Sequence, residues 1–109
     1  MKSFLLFHWS PAERRKQILK YGLRPGCFSR CGQWKPPYVC FSKTPSLAWA
    51  LSGIRDDKPG TWDLWQMWSN VPKGYETLST DGSGKPTEYR VYHRIFKRDV
   101  WYIGSRVNK

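Results

Sequence analysis

Glu88, His8 and Ser42 are the side chains in this 109-residue sequence best suited to act on a sugar or a phosphate. Glu88 heads a stretch rich in Thr, Tyr, Val and Ile, just after a Gly84-Lys85-Pro86 turn. Period-two alternation puts Glu88, Arg90, Tyr92 and Arg94 on one face, with Tyr89, Val91, His93 and Ile95 on the other. A carboxylate flanked by arginines on a polar face can orient a sugar hydroxyl or stabilise a developing cation. The same pattern also makes an ordinary cross-strand ion pair. His8 closes the apolar run Phe4-Leu5-Leu6-Phe7, at a strand-to-helix edge where its ring suits a ribose hydroxyl or an amide. It equally suits a satisfied edge residue. Ser42 and Thr44 lie just before a helix start at Pro45, where backbone N–H groups favour phosphate. Thr44 is also explained as a cap, and Ser42 can cap locally.

These groups need elements to hold them. A strand over residues 4–9 leads into a helix over 11–21, with Ser10 as cap, Pro11 in the first position and Glu13 closing a capping box. Gly22 stops that helix, and Ala12, Ile18, Leu19 and Tyr21 can face the core. Residues 24–37 carry Gly and Pro breaks and read as a long loop. A second strand over 38–41 is followed by a second helix over 45–52, packing through Leu47, Trp49, Ala50 and Leu51. Residues 55–60 form a polar turn. In a strand over 62–68, Trp62, Leu64, Gln66 and Trp68 share one face, and Asp63, Trp65 and Met67 the other. Strands over 75–78 and 87–95 join through the turn Asp81-Gly82-Ser83-Gly84. Asp99 starts a last strand over 100–103, and the basic end from Arg106 frays. The expectation is a single mixed α+β domain over residues 1–109, dominated by sheet.

Charge bounds the partners. Nineteen Lys and Arg against eight Asp and Glu give a net charge of +11, a field that attracts nucleic acid, nucleotides or an acidic protein. Arg14, Arg15 and Lys16 make the first helix a candidate target contact, as does Arg90 on the late strand. Seven tryptophans exceed what a small core easily buries, so some are free for stacking. No secretion signal or membrane-spanning stretch is read, so the expected location is the cytoplasm. Cys27, Cys31 and Cys40 are then reduced thiols, too loosely spaced for a zinc site, and no metal is expected. Nucleotide-loop, nucleophile-elbow and metalloprotease motifs are missing from the sequence.

In order of parts the chain resembles the ADP-ribosyltransferase fold of the diphtheria-toxin-like kind. The resemblance lies in Leu5-Leu6-Phe7-His8-Trp9-Ser10-Pro11, Ile18-Leu19-Lys20-Tyr21-Gly22-Leu23-Arg24-Pro25, Tyr38-Val39-Cys40-Phe41-Ser42-Lys43-Thr44-Pro45 and Glu88-Tyr89-Arg90-Val91-Tyr92. The closing Asp99-Val100-Trp101-Tyr102-Ile103-Gly104 is also similar to the family's final strand. The chain is similar, too, to small bacteriophage-encoded proteins of this kind, whose setting would be a host cytoplasm. The resemblance implies a compact split antiparallel sheet with two short helices, and NAD as co-substrate without a metal. It implies that His8, with Ser10 beside it, binds the adenosine ribose. Ser42 and Thr44 would support the nicotinamide pocket, and Tyr38 or Phe41 would pack on the ring. Glu88 would be the catalytic carboxylate, binding the nicotinamide ribose as nicotinamide leaves. Two positions before Glu88, where the family often has an acidic residue or Gln, stands Pro86. That departure fits a nucleic-acid acceptor or an NAD binder without transfer. The expected activity is mono-ADP-ribosylation of a nucleic acid or protein. The alternative, from charge and tryptophans, is a non-catalytic basic protein that blocks a nucleic acid or host enzyme. An RNA 2′-phosphotransferase, which shares the fold and uses NAD, ranks lower because a basic phosphate motif is not assembled.

Overall fold

Alternation along the late strand governs how the second half of the molecule packs. In the computed structural model, which describes residues 3–25, 38–51 and 59–108, Tyr89 and Val91 are buried among apolar neighbours. Arg90 and Tyr92 between them reach the polar side. The elements run β1 (Leu5–Pro11), a 3-10 turn (Ala12–Arg14), α1 (Arg15–Tyr21), β2 (Val39–Phe41), α2 (Pro45–Leu51) and β3 (Gly60–Trp68). They continue with β4 (Glu76–Leu78), β5 (Glu88–Val91), a second 3-10 turn (Lys97–Asp99) and β6 (Trp101–Asn108). The strands make two three-stranded antiparallel sheets, ordered β1-β3-β6 and β2-β5-β4. The described residues are therefore of the mixed α+β class expected. Among them, no helix is long and apolar enough to cross a membrane.

Two isolated bridges join these pieces. Phe7 and Ser42 exchange backbone hydrogen bonds of 2.8 and 3.0 Å, which stitches β1 to the end of β2 across the seam between the sheets. Leu23 and Ile95 exchange another pair, both 2.9 Å, which holds the exit of α1 against the chain beyond β5. Gly22 makes that approach possible. Its φ is +82°, and a Cβ there would lie 1.9 Å from the Ile95 carbonyl oxygen. Only glycine fits so close a backbone contact. The core between the sheets comprises Leu6, Phe41, Trp65, Met67, Tyr89 and Val91 with Ile18, Leu23, Val39, Ile95 and Val100 around them. α2 lies on β1, where the Trp9 indole N–H donates to the Pro45 carbonyl at 2.9 Å and the Trp9 and Trp49 rings meet edge-on.

Local chemistry accounts for several boundaries. Thr44 caps α2, its hydroxyl accepting from the Leu47 N–H at 3.1 Å, with Pro45 in the first helical position. The 79–87 turn is built as a hairpin, with Asp81 accepting from Ser83 and Leu78 standing opposite Glu88. Four expectations need correction. Ser10 does not cap a helix: β1 continues through Pro11, whose backbone is extended, and no side chain caps the following turn or α1. Pairing with Asp63 on β3 supplies the cross-strand contacts that hold Ser10 in the strand. Leu19 and Tyr21 are exposed, because α1 begins only at Arg15 and its short buried side centres on Ile18. Asp99 belongs to the second 3-10 turn rather than to a strand. Finally, the basic end does not fray: β6 runs to Asn108, pairing Arg106 with Trp62 and Val107 with Thr61. Arg106 also lies over the Trp49 ring at 4.0 Å, an aromatic partner invisible to a local reading. A register shift between Leu64 and Trp65 breaks the strict alternation of β3 and buries both. The Cys27–Cys31 pair, the 26–37 part of the expected loop and the end of the second helix past Leu51 fall outside the described residues.

Candidate functional site

Cys40 is the meeting point of the two sheets' polar groups. On β2 it pairs with Arg90 of β5, so Tyr38, Cys40 and Ser42 share a face with Glu88, Arg90 and Tyr92 by alternation. The Cys40 thiol donates to Glu88 Oε1 at 3.1 Å, and Arg90 Nε donates to the same oxygen at 2.9 Å. From the other sheet, His8 Nδ1 reaches the Cys40 carbonyl oxygen at 2.8 Å. Continuing the β2–β5 register by one residue sets Ser42 across from Glu88. The strand bridge at Phe7 brings Ser42 beside the residue preceding His8. Thus His8, Ser42 and Glu88, distant in sequence, share one seam.

Each group has a defined state there. The Cys40 carbonyl can only accept, so His8 Nδ1 carries the proton and Nε2 presents a lone pair to a hydroxyl donor. Burial lowers the His8 pKa against the opposing pull of that hydrogen bond, with Arg14 lowering it further. The ring is a neutral acceptor rather than a cation. Burial and the neighbouring Glu88 push the Cys40 thiol up to about 12, so it is an uncharged donor and not a nucleophile. Ser42 is fully buried, and among the described residues its hydroxyl has no hydrogen-bond partner, a condition it shares with the Trp65 indole N–H. Buried polar atoms without partners are uncommon and mark places where a ligand can complete the bonding.

A second layer of side chains holds the arginine. The Arg90 guanidinium lies 4.2 Å from the centre of the Tyr38 ring and 3.9 Å from Glu76 Oε1. The hydrogen bond to Glu88 raises the Arg90 pKa further. Tyr92 donates to Glu76 Oε1 at 2.8 Å, and its ring meets Tyr38 edge-on at 5.7 Å. Chemically, the arrangement offers an oriented carboxylate, a neutral imidazole acceptor and a buried hydroxyl along one edge. That is a set of groups for hydroxyl recognition.

Other candidates are placed elsewhere. Phe41 cannot stack on a ligand: it is 0% exposed and faces the core, since alternation turns it away from Cys40. Ser10 is buried in a row with Asp63, whose carboxylate spans toward Ser105 on β6. Thr44 serves α2 as its cap. Arg15 is no open target contact, because its guanidinium grips Asp63 at 2.7 and 2.8 Å and lies over the Tyr102 ring. Arg90 holds Glu88 through its Nε, whereas Arg14 ends the first 3-10 turn, where its charge acts on His8, and Lys16 lies in α1. Two residues were missed. Cys40 had a signal in its alternation with Ser42, but Asp63 had none beyond its place in an aromatic strand. Among the described residues no group of three or more His, Cys, Asp or Glu could hold a metal ion. Comparison with family models, with curated proteins and with solved structures gives no match, so the functional reading rests on this geometry.

Proposed function

We propose that the two sheets form a compact ADP-ribosyltransferase-like split sheet, and that the protein transfers ADP-ribose from NAD to a nucleic acid or protein acceptor. The observation that carries this reading is the convergence of His8, Ser42 and Glu88 around Cys40, with the Ser42 hydroxyl buried and unpartnered among the described residues. In this reading neutral His8 accepts from a hydroxyl of the adenosine ribose through Nε2. Ser42 completes its bonding on the nicotinamide side, and Tyr38 lines the edge next to Arg90. Glu88 accepts from a hydroxyl of the nicotinamide ribose and stabilises positive charge as the glycosidic C–N bond breaks. Nicotinamide leaves with the bonding electron pair. An acceptor nucleophile then attacks the anomeric carbon, and its proton passes to solvent water. Arg90 keeps the carboxylate aimed, and the thiol of Cys40 fixes the same oxygen from the other side. Positioning and electrostatics suffice for such a step, without a metal.

The test is direct. Purified protein is incubated with NAD carrying label on the adenylate, together with RNA, DNA and protein fractions of a cell lysate. Free nicotinamide and label on one acceptor fraction are the expected products. Absence of nicotinamide release with every fraction would leave the alternative, a basic protein that binds without catalysis.

A further inference from the structure

The cations of this chain are not spread evenly over exposed aromatic rings. The Leu23–Ile95 bridge draws the end of α1 beside the segment that follows β5, and α1 touches the second 3-10 turn. Two exposed rings stand on this junction, Tyr21 at 39% and Phe96 at 50% exposure. Lys20 and Arg24 lie over the Tyr21 ring at 5.1 and 4.9 Å, and Arg94 and Arg98 over the Phe96 ring at 5.1 and 5.4 Å. The two halves are joined, because Arg94 Nε donates to the Tyr21 carbonyl at 3.0 Å. Beside Phe96 opens a cavity of about 160 Å³, lined among others by Lys73, His93, Arg94 and Arg98. Asp99 is the acidic residue on its rim, with Arg98 Nε 3.8 Å from its carboxylate. The His93 ring is held at the rim, its Nε2 3.3 Å from the Lys73 backbone nitrogen and its Nδ1 3.0 Å from the Arg94 carbonyl oxygen.

We propose that this surface, built on Tyr21 and Phe96 with their flanking cations, binds single-stranded nucleic acid. Aromatic faces set among cations match what a single strand presents, namely bases to stack and phosphates at regular intervals. A duplex hides its base faces, and an acidic protein offers charge without flat rings. The cavity beside Phe96 gives a phosphate next to a stacked base a place lined with cations. The surface is distinct from the Glu88 seam, and its role requires no NAD. Failure of one proposal is therefore separable from failure of the other.

The experiment measures fluorescence anisotropy of labelled 12-residue oligo-uridylate and oligo-thymidylate with the full chain, without NAD, across a salt series. Both strands should bind, with a duplex of equal charge binding more weakly. Phe96→Ala should weaken binding about tenfold, Phe96→Leu equally, and Phe96→Trp should restore it, a pattern that loss of folding or of apolar bulk does not give. An Arg24→Gln/Arg98→Gln double variant should lower the salt dependence by roughly 1.4 in its logarithmic slope, as two lost phosphate contacts require. A Lys85→Gln/Arg106→Gln variant removes the same charge from the hairpin before β5 and from β6, and should change affinity less than about threefold. Wild-type affinity in Phe96→Leu would overturn the proposal. So would equal losses in the two charge variants, or displacement of the strand by polyglutamate as effectively as by unlabelled oligonucleotide.

Discussion

Two carboxylate–guanidinium pairs, one on each sheet, are built from the same chemistry and serve opposite ends. On β3, Asp63 is fully buried and uses both oxygens: Oδ2 accepts from Arg15 Nε at 2.8 Å, and Oδ1 from Arg15 Nη2 at 2.7 Å and Ser105 Oγ at 2.8 Å. Burial alone would raise its pKa, but the hydrogen bonds from Arg15 and Ser105 and the charge of Arg15 hold it below the usual carboxylate range. On β5, Glu88 is also buried, yet both of its hydrogen bonds among the described residues fall on Oε1, from Arg90 and Cys40. A bidentate pair with a third donor is saturated and locks β3, α1 and β6 together. A carboxylate held by one oxygen is aimed but keeps bonding capacity for a ligand. Bond count, rather than burial, separates the structural pair from the candidate catalytic one.

That contrast can be broken in four ways. Glu88→Gln preserves shape and removes the charge, so nicotinamide release should fall by about 10²–10³-fold while the fold is kept. Retention of full activity would remove Glu88 from the catalytic role. Asp63→Asn should act the other way, lowering the thermal midpoint by roughly 5–10 °C with turnover per folded molecule little changed. Because the folded Asp63 pKa is depressed, its contribution to stability is complete above about pH 4 and is lost as pH falls through the folded value. Acid titration of the Asp63→Asn variant, followed by circular dichroism, should lack that final loss.

His8 gives a subtler signature on the seam. Its folded pKa is lowered, so the unfolded chain takes up a proton first as pH drops below about 6.5. Stability should therefore decline on the acid side of neutrality, by at most about 1.4 kcal/mol per pH unit from this ring, and level off below the folded value. Denaturant titrations of wild type and His8→Asn between pH 7 and pH 5 should differ in that slope; identical slopes would argue against a half-buried neutral imidazole. The last test concerns the Cys40 thiol, which anchors the seam without taking part in transfer. With its thiol pushed up to about 12, iodoacetamide at pH 8 should label its peptide much more slowly in folded than in unfolded protein, as mass spectrometry would read.

Legibility followed the range of the forces involved. The faces of β5, the cap at Thr44, the stop at Gly22 and the hairpin around Asp81 were readable because each depends on neighbours a few residues away. Ser10 misled because a cap and a strand residue use the same small polar side chain, and β3 decided between them. Arg15 looked like one more surface cation until Asp63, 48 residues on, claimed it. The end of β6 looked frayed for the same reason: its partners Thr61 and Trp62 lie far back in the chain.

By itself, the sequence determined the alternation of β5, the cap at Thr44, the overall positive charge and the identity of the groups able to bind a hydroxyl. Those properties follow from covalent neighbours and composition. Tertiary structure alone decided that His8, Ser42 and Glu88 meet at Cys40, that one arginine is spent on a buried aspartate, and that Tyr21 and Phe96 share a cationic surface. These depend on strand register and on two backbone bridges, and a register is chosen by the burial of the whole sheet rather than by any local pattern.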